Sequence, residues 1–192
     1  MLDSRIWRAA AAAAVASAIA APAGATSYPP VTFAELVARA DVIFVGEVVD
    51  VRPYPVSTRD GAIIRTRVVF RVQEPVFGTT SALEVFDFFG GEWGDIGMAI
   101  AEMPRFRVGD RRVVFARRER SINPIVGFTQ GLFQVRRDTR GVDRVLTLDG
   151  VPLGRPENLG TRGSVLPPIG TPAMPLAEFV ARLDRAVAEA RR

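Results

Sequence analysis

The chain has 192 residues, 25 basic and 21 acidic, a formal net charge of +4, and no His or Cys. Every basic residue is Arg; there is no Lys. Imidazole bases, thiolate nucleophiles and Schiff-base amines are thereby excluded, and the usual zinc ligands are reduced to carboxylates.

The first residues read as a secretory signal peptide. Arg5 and Arg8 supply a positive start, and an apolar run follows from Ala9 to about Ala21. Ala23-Gly24-Ala25 is a small-x-small cleavage pattern, which places the cut after Ala25 and makes Thr26 the new N-terminus. The run is roughly 13 residues, short of the ~20 that a spanning helix needs. No Cys follows it, so a lipid anchor is excluded, and no later segment is long and apolar enough to span a bilayer. The address is exported, periplasmic or extracellular. About 167 residues remain, which fits one domain that folds on packing alone, without disulfides.

Thr32-Phe33-Ala34-Glu35 reads as a capping box that opens a short helix through about Ala40, with Phe33, Leu36 and Val37 as its apolar face. Strand character begins at Val42 and runs to Val51, with Gly46 marking a bulge or bend and Pro53 and Pro55 ending it. Ile64 to Val72 alternates: Ile64, Thr66, Val68, Phe70 and Val72 face one way, and Arg65, Arg67, Val69 and Arg71 the other. Pro75 and Gly78 close it. Leu83 to Phe89 is a third strand. A glycine-rich loop then runs to about Pro104. Arg112 to Arg117 is a fourth strand after a Gly109-Asp110 turn. A fifth covers Ile125 to Phe128 and Leu132 to Arg136, broken by Thr129-Gln130-Gly131, and Val142 to Leu148 is the sixth. A Pro/Gly-rich linker follows, then a helix from Pro175, expected at its N1 position, with Leu176, Phe179, Val180, Leu183 and Val187 as an apolar stripe. That stripe packs on the chain's own core or docks a partner.

The expected fold is mainly β: a five- to six-stranded, OB-like antiparallel barrel with a short N-terminal helix and a C-terminal amphipathic helix. The division is a signal peptide over 1–25, a barrel domain over 26–150, a linker over 151–174 and the helix over 175–192.

Ala40 to Val49 resembles the first strand of the netrin-like module in tissue inhibitors of metalloproteinases, and Phe70 to Gly78 is similar to that family's second strand and turn. Gly90-Gly91, Pro104-Arg105-Phe106, Val108-Gly109-Asp110 and Gly127 to Phe133 resemble a group of uncharacterised exported bacterial proteins, which share that barrel and can be encoded near secreted metalloproteases. The resemblance implies an OB-like barrel, a fold that hosts many functions. It does not carry the inhibitory mechanism. That family chelates the protease zinc through an N-terminal Cys, and this chain would begin Thr26-Ser27-Tyr28.

Glu92, Trp93 and Asp95 stand out in the glycine-rich loop. The acids, with Asp87 upstream, are either a calcium site or solvated surface charges; the spacing does not match an EF-hand. Trp93 is either a hot spot for a protein partner or a plug over one barrel mouth. Arg111, Arg112, Arg117, Arg118 and Arg120, with Arg65, Arg67 and Arg71, form a cationic stripe that binds single-stranded nucleic acid or protects strand edges; the dilute charge favours the second. No carboxylate pair is marked by context for glycoside chemistry, and Ser121, Ser164 and the threonines have no His or Lys to activate them. The reading is an exported, non-enzymatic protein-binding module without cofactor or metal. A secreted protease, a metalloprotease first, is the best single partner. The alternatives are an envelope assembly accessory docking through the terminal helix, and an oligosaccharide- or oligonucleotide-binding barrel.

Overall fold

Val42–Val45 and Val113–Ala116 are unbroken apolar runs, a pattern a strand shows when both of its faces are covered. The computed structural model, which describes residues 28–161 and 170–192, places both runs at the centre of one sheet. Ala23, Ala25 and Thr26, the expected processing site, lie outside the described residues.

Helix α1 covers Phe33–Arg39, and its capping box is formed: Thr32 Oγ1 accepts from the Glu35 N–H, and the Glu35 carboxylate accepts from the Thr32 N–H. The strands are β1 (Val42–Thr58), β2 (Gly61–Phe77), β3 (Leu83–Phe89), β4 (Gly91–Trp93), β5 (Ile96–Met98), β6 (Arg111–Ala116), β7 (Leu132–Arg137) and β8 (Asp143–Thr147). Helix α2 covers Leu176–Ala190. Six strands form one antiparallel sheet in the order β3-β2-β1-β6-β7-β8, and β4 and β5 form a separate hairpin.

The sheet does not close into a barrel. β3 and β8 are its two edges and do not pair with each other among the described residues. The physical reason is the two apolar faces of β1 and β6, since a small closed barrel has only one interior. Ile43, Val45, Val113, Phe115, Phe133 and Val135 face one core, covered by α1 and α2. Val42, Phe44, Val114, Ala116 and Leu132 face a second core. The sheet curls over this second side. Phe44 on β1 and Phe86 on β3 stack with centroids 6.4 Å apart, although β2 lies between their strands. Neighbouring strands are ~4.8 Å apart, so a flat sheet would hold these two nearly 10 Å apart. Register shifts at Ile43/Phe44, Val45/Gly46 and Val48/Asp50 supply the bend.

Other expectations are corrected. β1 runs through Pro53 and Pro55 instead of stopping there. Beyond Val48, which still bonds to Gly109 and Asp110, only β2 pairs with β1 among the described residues, so one edge is open there and a missing N–H costs no ladder bond. β2 likewise continues through Pro75 to Phe77. Ile125–Phe128 is not strand. Ile125 makes a single bridge to Ala116, and the chain then turns through positive φ at Gly127 and Phe128. Gln130 in this turn accepts from the Val31 N–H at 2.7 Å and donates to Pro29 O at 3.1 Å, which fastens the lead-in to α1.

The stretch after β8 packs closely where it is described. Leu153 and Met174 are buried. Met174 N–H donates to Leu153 O, and Val145 N–H to Met174 O, along the free side of β8. Pro175 is the N-cap of α2 rather than its first helical residue. Leu176, Phe179, Val180 and Leu183 are buried against the sheet and α1, with Val187 partly so. Arg191 at the helix end donates to Ala40 O at 2.9 Å and lies over the Phe77 ring. No helix among the described residues is long and apolar enough to cross a membrane.

Candidate functional site

The glycine-rich loop is partly ordered as the β4–β5 hairpin, in which Gly91 faces Met98, Glu92 faces Gly97 and Trp93 faces Ile96. Gly94-Asp95 forms the turn, with Gly94 at φ 57°. Thr66 Oγ1 donates to Gly90 O at 2.7 Å and anchors the hairpin to β2. Glu92, Trp93 and Asp95 are all exposed. Trp93 retains 47% of its surface and Ile96 54%, so the two make an apolar pair facing solvent.

Trp93 does not plug the curled sheet. That place belongs to Phe106, whose ring lies 4.8 Å from Phe88 and 5.6 Å from Phe70 by centroid, with Met103 beside the same core. Between the hairpin and the sheet lies a groove of about 790 Å³. Val51, Phe88, Met98 and Met103 are among its apolar lining, with Glu92, Arg105 and Arg107 also on its walls. A second cavity, of about 860 Å³, lies between α1 and the segment that follows β8. Gly160 and Thr171, near the ends of the segment outside the described residues, form part of its wall.

The acids do not assemble a metal site. No group of three or more His, Cys, Asp or Glu side chains suited to a metal gathers among the described residues. Asp87 is held by Arg67 at 3.0 and 3.1 Å. Burial alone would raise its pKa, but the bonds from Arg67 and Tyr54 outweigh that and lower it.

The expected cationic stripe is largely neutralised. Arg71 meets Glu47, Arg112 meets Asp110, Arg117 meets Glu119 and Arg118 meets Glu84. Arg111 reaches Asp143 at 2.8 Å, and Arg65 donates to the carbonyls of Asp87 and Ser121. The pairing speaks against a nucleic-acid track, and the expected edge protection is corrected as well, because these arginines lie on or next to β2 and β6, which are interior strands of the sheet. Ile96 joins Trp93 on the hairpin without standing out in the sequence as a candidate. Its signal was available in the two-residue Gly94-Asp95 turn, which places it opposite Trp93.

No family model, no curated protein and no solved structure matches the chain. Geometry and chemistry alone therefore bear on function, and the netrin-like resemblance rests on its own residues.

Proposed function

We propose that this protein is an exported, non-enzymatic module that binds a protein partner, with the β4–β5 hairpin as its contact. The observation that carries the reading is the exposed Trp93–Ile96 pair on a hairpin that is not paired into the main sheet. Large apolar side chains of this kind anchor interfaces, where one buried Trp contributes ~2 kcal/mol or more. The lack of His, Cys and Lys points the same way, since the common nucleophile–base sets cannot be built. The envelope-accessory alternative relied on a free helix face, and in α2 that face is packed inside. A secreted metalloprotease is the first partner to test, on the resemblance, by a route that does not use zinc chelation from the N-terminus.

The test is affinity capture from the host secretome with the wild-type chain and Trp93→Ala, followed by titration of the captured protein. The expected result is a partner retained by the wild type and weakened more than tenfold by the substitution, ~1.4 kcal/mol or more. A partner held equally by both chains would rule out the hairpin as the contact.

A further inference from the structure

Arg112 lies opposite Gln134 on β7 and Gly46 on β1, one step beyond Val114 and Leu132 on the inner face of the curled sheet. It therefore stands where the second core ends and the mouth of the curl begins. A recess of about 420 Å³ opens there, lined by Arg105, Arg107, Arg111, Arg112, Arg136 and Arg137. Arg105 and Arg107 flank Phe106, whose ring sits against Phe70 and Phe88. That anchor fixes both exposed arginines at the rim.

The charges at the recess do not balance. Asp110 pairs with Arg112 at 2.8 Å, and Asp143 serves both Arg111 and Arg137. Arg105, Arg107 and Arg136 form no ion pair among the described residues. Arg112 is the telling member. It keeps only 9% of its surface, and its enclosed Nε has no hydrogen-bond partner among the described residues. Arg65 and Arg182 also have an unpartnered Nε, but each donates elsewhere to two acceptors. Among the described residues Arg112 donates from its side chain only to Asp110. Burial lowers the pKa of Arg112, and the charge of Arg136 acts in the same direction, against the pull of Asp110.

We propose that this recess binds a phosphate or sulfate group. A crowd of guanidinium groups with spare donors is relieved by a polyvalent oxoanion, whose oxygens accept from several planar forks at once. The recess has room for such a group together with part of the molecule that carries it. No hairpin residue lines this recess, although Arg105 and Arg107 also border the groove beneath the hairpin, and neither reading depends on the other.

The test is calorimetric titration of the full chain with sodium phosphate and, in a second arm, sodium sulfate, at an ionic strength held constant with sodium chloride. Saturable binding of either anion is expected, and the stronger arm identifies the preferred group. Arg112→Gln should abolish binding. Because that change also touches the core, Arg136→Glu carries the test: Arg136 is exposed, and its reversal should weaken binding at least tenfold without lowering the melting temperature in the absence of anion. Arg140→Glu, exposed and outside the recess, should change affinity less than twofold. Absence of saturable binding in both arms would overturn the proposal. So would an equal loss in Arg136→Glu and Arg140→Glu, which would reduce the effect to net charge.

Discussion

Arg118 donates to both carboxylate oxygens of Glu84, at 3.2 and 3.0 Å, and so neutralises an acid that sits among phenylalanines. Glu84 keeps 5% of its surface and shares its side of β3 with Phe86 and Phe88. Arg118 also donates to Gly78 O at 3.0 Å, and its own N–H donates to Asp41. One residue thus joins the β2–β3 turn, the edge strand and the start of β1. The two halves of the pair are not equivalent. Removing Arg118 strands a buried carboxylate, whereas Glu84→Gln leaves a guanidinium that already reaches water. Arg118→Ala should cost about 3 kcal/mol, and Glu84→Gln about 1 kcal/mol. Urea unfolding of both variants checks the order; equal losses would mean that the pair contributes only as a hydrogen bond.

Phe179 tests whether α2 belongs to the domain. Its ring meets Phe133 on β7 at 5.4 Å and Phe33 on α1 at 6.0 Å, and the side chain is fully enclosed. Phe179→Ala should cost about 3–5 kcal/mol, the range for a large ring removed from a packed core. A variant that melts like the wild type would show that the helix is dispensable to the sheet.

The parts of the fold that were legible in the sequence are those set by local chemistry. The Thr32–Glu35 capping box, the Ile64–Val72 alternation and the spacing of Leu176, Phe179, Val180 and Leu183 each determine their own geometry, and each appears as read. What escaped was set by neighbours. Pro53 and Pro55 are tolerated because β6 stops pairing at Glu47, and no local signal reports that. Closure was misjudged because the apolar run Val42–Val45 reads the same whether its second face meets a barrel interior or a pair of helices. The arginine recess was invisible for a similar reason: Arg136 on β7 is distant in sequence from Arg105 and Arg112 and meets them only at the mouth of the curl. Trp93 was singled out from the sequence, but its exposure follows from Phe106 already filling the place it would have plugged.

The dependence of stability on pH follows from the carboxylates. The pKa of Asp138 is lowered by the backbone N–H of Val142 and by Arg144; that of Asp143 by Arg137 and Arg111; that of Glu35 by the backbone N–H of Thr32. A folded pKa below the unfolded one gives stability that is present above the unfolded value, about 4 for these groups, and is lost as pH falls through the folded value. With no His, Cys or Lys, no side chain has an ordinary pKa between about 5 and 8. The melting temperature should hold a plateau across that range and fall below about pH 4. A step between pH 6 and 7 would contradict this account.

Trp93 offers a direct optical test of the hairpin. The chain has two tryptophans, and the other, Trp7, lies in the segment expected to be removed on export. In a chain that starts at Thr26, fluorescence therefore reports Trp93 alone. A side chain that retains 47% of its surface should emit near the wavelength of a solvated indole and be readily quenched by acrylamide. Emission shifted to the blue in the free protein would mean that the ring is packed, and the hairpin would lose its claim as a contact surface. Trp93→Ala should change stability by no more than about 0.5 kcal/mol, as for other surface substitutions. Ile96→Ala should behave likewise in the free protein. In complex with a partner the two should separate from this neutrality together: both residues present one apolar surface, so burying either desolvates its cross-strand neighbour. A blue shift on binding, lost affinity in both single variants and unchanged melting in both form the expected pattern. Loss in Trp93→Ala without loss in Ile96→Ala would restrict the contact to the indole.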